Sequence, residues 1–376
     1  MGRTKTKKLL QKSTTATKAE ASTSPAKASP SIQSIYEKAQ ELVVQCNYDL
    51  AHKFLLRVLE QDANHTAARE LLGEVQLEMG ELDAAKQTFE SLLPGSAFPP
   101  SIPSSNAHLN LAQLSDEPKE ALQHYQCAVD TLLGQLKGRE KAVGEDTEQE
   151  AEIRAKAVSA IVAMIEIWMS DLCFEPEAEQ TCETLADLAL KTDPTSSEAL
   201  QTLASIRMSQ KRSDEAQQCA ERAWESWKDL DPESPKLPPL PARLSLSRLF
   251  LELAMYGNAL TIIAGIIALD DEEVEAWYLE GWCFYLMAEQ VKETNQPIEG
   301  LGWEELARDA LDCLETCQTL HQTQDHLDEQ ILQHAKEIIG ELRAAGVEPN
   351  PVEEEVVTEG DEDEWVDDEG DVEMDE

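Results

Sequence analysis

Positive charge, aromatic side chains and long apolar runs are all scarce in this chain. Against 74 Asp and Glu there are only 31 Lys and Arg, a formal net charge of −43 over 376 residues. A balance this negative repels nucleic acid and anionic membrane surfaces and attracts basic partners. The strongest apolar stretch, AIVAMIEIWM at 160–169, is short and interrupted by Glu166. A bilayer span needs roughly 20 apolar residues, so no membrane helix is expected. The polar, lysine-rich start MGRTKTKK does not read as a secretory signal.

Chemistry-bearing motifs are absent too. There is no GxSxG elbow, no Walker loop and no HExxH, and EGLG at 299–302 lacks the third glycine and the preceding strand of a dinucleotide fingerprint. The eight cysteines contain no CxxC pair and fall mostly on apolar helical stripes, where Cys acts as a small hydrophobe. They read as thiols of a reducing compartment, cytoplasm or nucleus. Cys313 and Cys317 share a helical face but lack the two further ligands that zinc needs. His321 and His326, five apart, do not share one. No catalytic residue, metal or cofactor is expected, and the chain does not read as an enzyme.

What is present begins at the ends. Residues 1–30 hold seven Lys or Arg and one Glu. Segment 1–31 is rich in Ser, Thr, Ala, Lys and Pro without periodicity and reads as a disordered basic tail. Residues 348–376 hold sixteen Asp or Glu and no Lys or Arg. The segment 347–376 reads as a disordered acidic tail, with Trp365 set among Asp361, Glu362, Asp363, Glu364, Asp367 and Asp368. The body, 31–347, still carries −33. A folded domain tolerates that much self-repulsion more readily when a basic partner relieves it.

The body reads as helix throughout, with apolar residues recurring at intervals of three and four. It also repeats. Ala39, Ala51 and Leu55 lie 34 residues before Gly73, Ala85 and Phe89, which is the tetratricopeptide period. The eighth and twentieth repeat positions are small where two helices cross closely; the twenty-fourth is bulky and fills the gap between units. Gly80 falls where a first helix must stop in a left-handed cap. Later units follow around Ala112, 152–193, Ala204, Ser247 and Gly281. The last resumes at Ala310 after an insertion of about 17 residues. A final amphipathic helix runs through Leu327, Ile331, Ala335, Ile338 and Leu342 as a cap. The predicted fold is all-α: a tetratricopeptide solenoid of about seven helix pairs plus a capping helix over 32–346.

Such arrays bind extended segments on the concave face, reached from repeat positions two, five, nine and twelve of each first helix. This register gives Tyr36 and Gln40, then Glu70, Glu74 and Leu77, and in the last unit Glu275, Tyr278, Trp282 and Tyr285. Carboxylates among aromatics suit a Lys- and Arg-rich peptide, through charge-assisted hydrogen bonds and stacking on guanidinium. The same residues also suit interhelix packing and a solvated face. Co-chaperone clamps for acidic peptides need the opposite charge. The acidic tail would extend the basic-partner surface and speed capture, with Trp365 adding a cation–π contact.

These elements together (a basic start, a repeat array ending in EAWYLEGWCFYL, the helix LDEQILQHAKEIIGEL and an acidic end holding Trp365) resemble the fungal dedicated assembly chaperones of large-subunit ribosomal protein four. The resemblance spans nearly the whole chain. It implies a client, that ribosomal protein, held chiefly by its long basic internal loop in a one-to-one complex. It further implies protection from aggregation and mispairing with RNA, passage from cytoplasm to nucleus, and release during pre-60S assembly. No direct nucleic-acid or membrane contact is expected. A histone chaperone, or a tetratricopeptide scaffold or co-chaperone within a larger complex, remains an alternative on charge and repeats alone.

Overall fold

A computed structural model describes residues 31–96, 98, 104–139, 148–232, 234, 236–298 and 300–350. The expected tails fall outside them apart from Ser31 and 347–350, so Asp361, Glu362, Asp363, Glu364, Trp365, Asp367 and Asp368 lie outside the described residues.

The described residues form seven helix pairs and a last single helix. The pairs are α1 (Ile32–Val44) with α2 (Tyr48–Gln61), α3 (Thr66–Glu78) with α4 (Leu82–Glu90), and α5 (Ser105–Gln113) with α6 (Pro118–Arg139). Then come α7 (Glu148–Met169) with α8 (Ala178–Thr192), α9 (Ser197–Ser209) with α10 (Ser213–Glu225), α11 (Leu240–Glu252) with α12 (Tyr256–Ile267), and α13 (Val274–Thr294) with α14 (Trp303–Thr323). The single helix α15 is Glu329–Ala344. Among the described residues the β structure is confined to a bridge between Ile298 and Leu301. The chain divides within α6, between Thr131 and Leu132, into two compact units.

The repeat register is visible in the packing. Ala39, Ala51, Leu55, Ala85 and Phe89 are fully buried. A Cβ on Gly73 would lie 2.5 Å from the Phe89 ring, so only glycine lets α3 meet α4 at that depth. Full burial of a side chain the size of Phe89 contributes about 2–3 kcal/mol. Local signals set the helix ends. Ser31, Ser104 and Ser196 accept from the backbone N–H three residues on. Gly80 follows α3 with φ +76°; its N–H donates to Leu77 O and that of Glu81 to Gln76 O. This double closure satisfies the last carbonyls of the helix. Cys46, Lys211 and Ala254 make the same turn after α1, α9 and α11, at φ +54°, +61° and +56°, without glycine's freedom.

Two expectations change. The insertion in the last pair is mostly helix: α13 and α14 have 21 residues each, so α14 starts seven residues before Ala310 and the connector is brief. His321 and His326 do meet, with ring centroids 5.2 Å apart. Asp325 takes φ +50° just after α14, and the chain turns back there. Helical spacing did not govern the pair, because His326 is outside the helix.

Candidate binding surface

In the N-terminal unit, α1 and α3 bring Tyr36, Glu70 and Glu74 together. The Tyr36 phenol is pushed above its usual range by burial first, then by the negative charges of Glu74 and Glu70. Its ring lies 4.9 Å from that of His65, which caps α3 by accepting from Ala68 N–H. Gln40 Nε2 donates to Tyr36 Oη at 3.5 Å. Glu70, Glu74 and Leu77 are half-buried, Leu77 packing on the Phe89 cluster. The result is an aromatic ring beside two carboxylates on adjacent first helices, a pairing able to hold an Arg or Lys side chain by charge and stacking.

In the C-terminal unit, the four residues of α13 sit against neighbours. Glu275 is half-buried and paired with Arg248 of α11. Burial pushes its carboxyl up, and Arg248 opposes that shift. Tyr278 and Trp282 stack with centroids 5.9 Å apart at 27°. The His334 ring of α15 stands edge-on to both, and its Nδ1 is 2.6 Å from Tyr278 Oη. Tyr285 Oη donates to Glu341 Oε2 of α15 at 2.7 Å. Burial raises both phenols to about 12, helped at Tyr285 by Glu341. The aromatics expected on an open groove therefore line a seam with the cap helix. They remain half-buried, so part of each faces solvent.

Among the described residues no group of three or more His, Cys, Asp or Glu is placed to hold an ion. Cys313 and Cys317 are buried, their thiols pushed up by burial, and Cys313 Sγ lies 3.6 Å from Glu280 Oε2. They are packing residues. No described helix is long and apolar enough to cross a membrane.

Residues 45–97 match the tetratricopeptide repeat model. A protein of Emericella nidulans named "Probable assembly chaperone of rpl4" is 32% identical over 81% of this chain and 79% of its own. One of the same name from Schizosaccharomyces pombe is 33% identical over 82% of this chain and 88% of its own. The chain belongs to the family of assembly chaperones of rpl4. The solved structure titled "Assembly Chaperone of RpL4 (Acl4) (Residues 1-338)" superposes with a TM-score of 0.60 at 30% identity, covering 71% of this chain and 100% of that one.

In this member of the rpl4 assembly chaperones, the middle units also place residues at repeat positions two and nine. With Ser247 as an eighth position, Arg248 is the ninth, and it pairs with Glu275 at a second position of the last unit. With Ala204 as an eighth position, Glu198 is the second; its carboxylate accepts from Ser159 Oγ of α7 at 2.7 Å. The same register would have found both. His334 and Glu341 carried no such signal, because their role comes from where α15 docks.

Proposed function

We propose that this chain is a dedicated chaperone of large-subunit ribosomal protein four. It holds the newly made basic protein, chiefly by its long internal loop, in a one-to-one complex. It shields that loop from RNA and from aggregation, and escorts it from cytoplasm to nucleus for pre-60S assembly. The role is binding, not catalysis. The observation that carries the reading is the named function of two relatives that match over four-fifths of the chain. The acidic body and the Tyr36–Glu70–Glu74 cluster support it, since both complement an Arg- and Lys-rich loop. Binding by many exposed ion pairs, each worth about 0–1 kcal/mol, also suits a client that must later be surrendered to RNA.

The test is charge reversal. Glu70→Lys with Glu74→Lys should weaken the complex with purified ribosomal protein four about tenfold, the equivalent of about 1.4 kcal/mol. Glu60→Lys with Glu90→Lys, exposed on α2 and α4, applies the same charge change elsewhere and should cost far less. Equal losses would leave bulk charge as the sole determinant and refute the assigned face. Preference for histones over the ribosomal protein would favour the histone-chaperone reading.

A further inference from the structure

The turn joining α7 to α8 has an unusual surface. Phe174 stands 98% exposed in it, a fully solvated aromatic on a chain with few aromatics. Beside it opens a cleft of about 340 Å³ whose apolar lining includes Trp168, Met169, Cys173, Cys182 and Ile206, with Glu179, Ser209 and Gln210 also on its wall. Trp168 and Met169 are half-buried at the C-terminal end of α7, and Phe174 directly follows the cleft-lining Cys173 in the chain. An exposed aromatic next to an apolar-lined cleft marks a contact site more strongly than a lone exposed residue does.

The rim determines what fits. The segment SDLCFEPEAEQ, 170–180, carries Asp171, Glu175, Glu177 and Glu179 and no Lys or Arg. The carbonyl end of α7 adds further negative potential. Of the cations nearby on α9 and its following turn, Arg207 and Arg212 are bound up with Glu183 and Glu215, and Lys211 is a single exposed cation against the four carboxylates of 170–180. Three occupants can be compared on charge. The chain's own acidic end, with sixteen carboxylates at 348–376, meets a like-charged rim. A second copy brings a body of −33. A basic segment with one large apolar side chain meets complementary charge and a pocket for its anchor.

We infer that this cleft is a second anchoring point for the basic client, taking one large apolar side chain flanked by Lys or Arg. The inference rests on the client reading above. It adds a site at the turn end of α7, α8 and α9, away from repeat positions two, five, nine and twelve. Buried apolar anchors supply the strength and register that exposed ion pairs lack.

The experiment uses the full chain and purified ribosomal protein four. Cys173 is exposed on the cleft wall, and Cys46 and Cys127 are exposed elsewhere. Alkylation by N-ethylmaleimide, followed residue by residue by mass spectrometry, should slow about fivefold or more at Cys173 when the client is bound, as expected for loss of access. Phe174→Ala removes a side chain with no packing role and should raise Kd about tenfold. Asp171→Lys with Glu177→Lys should weaken binding to a similar degree. A complex that forms normally, leaves Cys173 reacting at its free rate and tolerates Phe174→Ala within about twofold overturns the cleft assignment while the client reading stands. Failure of the wild-type chain to bind the client at all overturns both.

Discussion

Replacing Gly281 by Ala is the sharpest test of the repeat register. The new Cβ would lie 2.7 Å from Leu314 Cγ, 3.0 Å from its Cδ2 and 3.1 Å from Ala310 O. Leu314 and Ala310 are fully buried between two 21-residue helices, so neither has an easy way to retreat. Overpacking of this kind costs about 1–3 kcal/mol. Alanine's better helix propensity offsets about 1 kcal/mol of it. The net expectation is a loss of about 0–2 kcal/mol. Gly340 on α15 supplies the counter-experiment, since a Cβ there meets nothing within 4 Å. Gly340→Ala should therefore stabilise by about 0.5–1 kcal/mol. Urea unfolding, followed by far-ultraviolet circular dichroism and tryptophan fluorescence, gives both midpoints. A Gly281→Ala midpoint at or above that of Gly340→Ala would refute the close α13–α14 crossing.

Two further outcomes follow from the same geometry. Ala254 holds a left-handed φ of +56° after α11, so Ala254→Gly should raise stability by about 1 kcal/mol, read as a higher thermal midpoint. His108 and His124 meet Nδ1 to Nδ1 at 3.1 Å, one donating and one accepting, and burial holds both below their ordinary pKa. For a base lowered by folding, stability is full above the unfolded value of about 6.5 and is lost as pH falls through the folded one. Urea midpoints should therefore drop as pH falls below about 6.5, and His124→Gln should flatten that drop.

The parts of the fold that were legible are those imposed by steric demand. Gly73 opposite Phe89 and Gly281 opposite Leu314 recur at fixed repeat positions, because a crossing allows only one residue size on each side. The acidity of the chain was legible because charge is additive along it. Side-chain partners were not. Tyr278, Trp282 and Tyr285 satisfy the groove pattern, yet their contacts depend on the docking of α15, which no local spacing encodes. Glu275 looked available, but its partner Arg248 lies one unit earlier. The insertion before Ala310 gave no repeat position to anchor its helical stretches, so only the docked helices show that they extend α13 and α14. Phe174 carried no periodic signal at all; only its exposure beside a cleft singles it out.

The most direct test of the central claim is calorimetric titration of the full chain with purified ribosomal protein four at two salt concentrations. One client per chain is expected, with affinity falling about tenfold or more between about 50 and 300 mM salt as exposed charge pairs are screened. No complex, or one indifferent to salt, would contradict it.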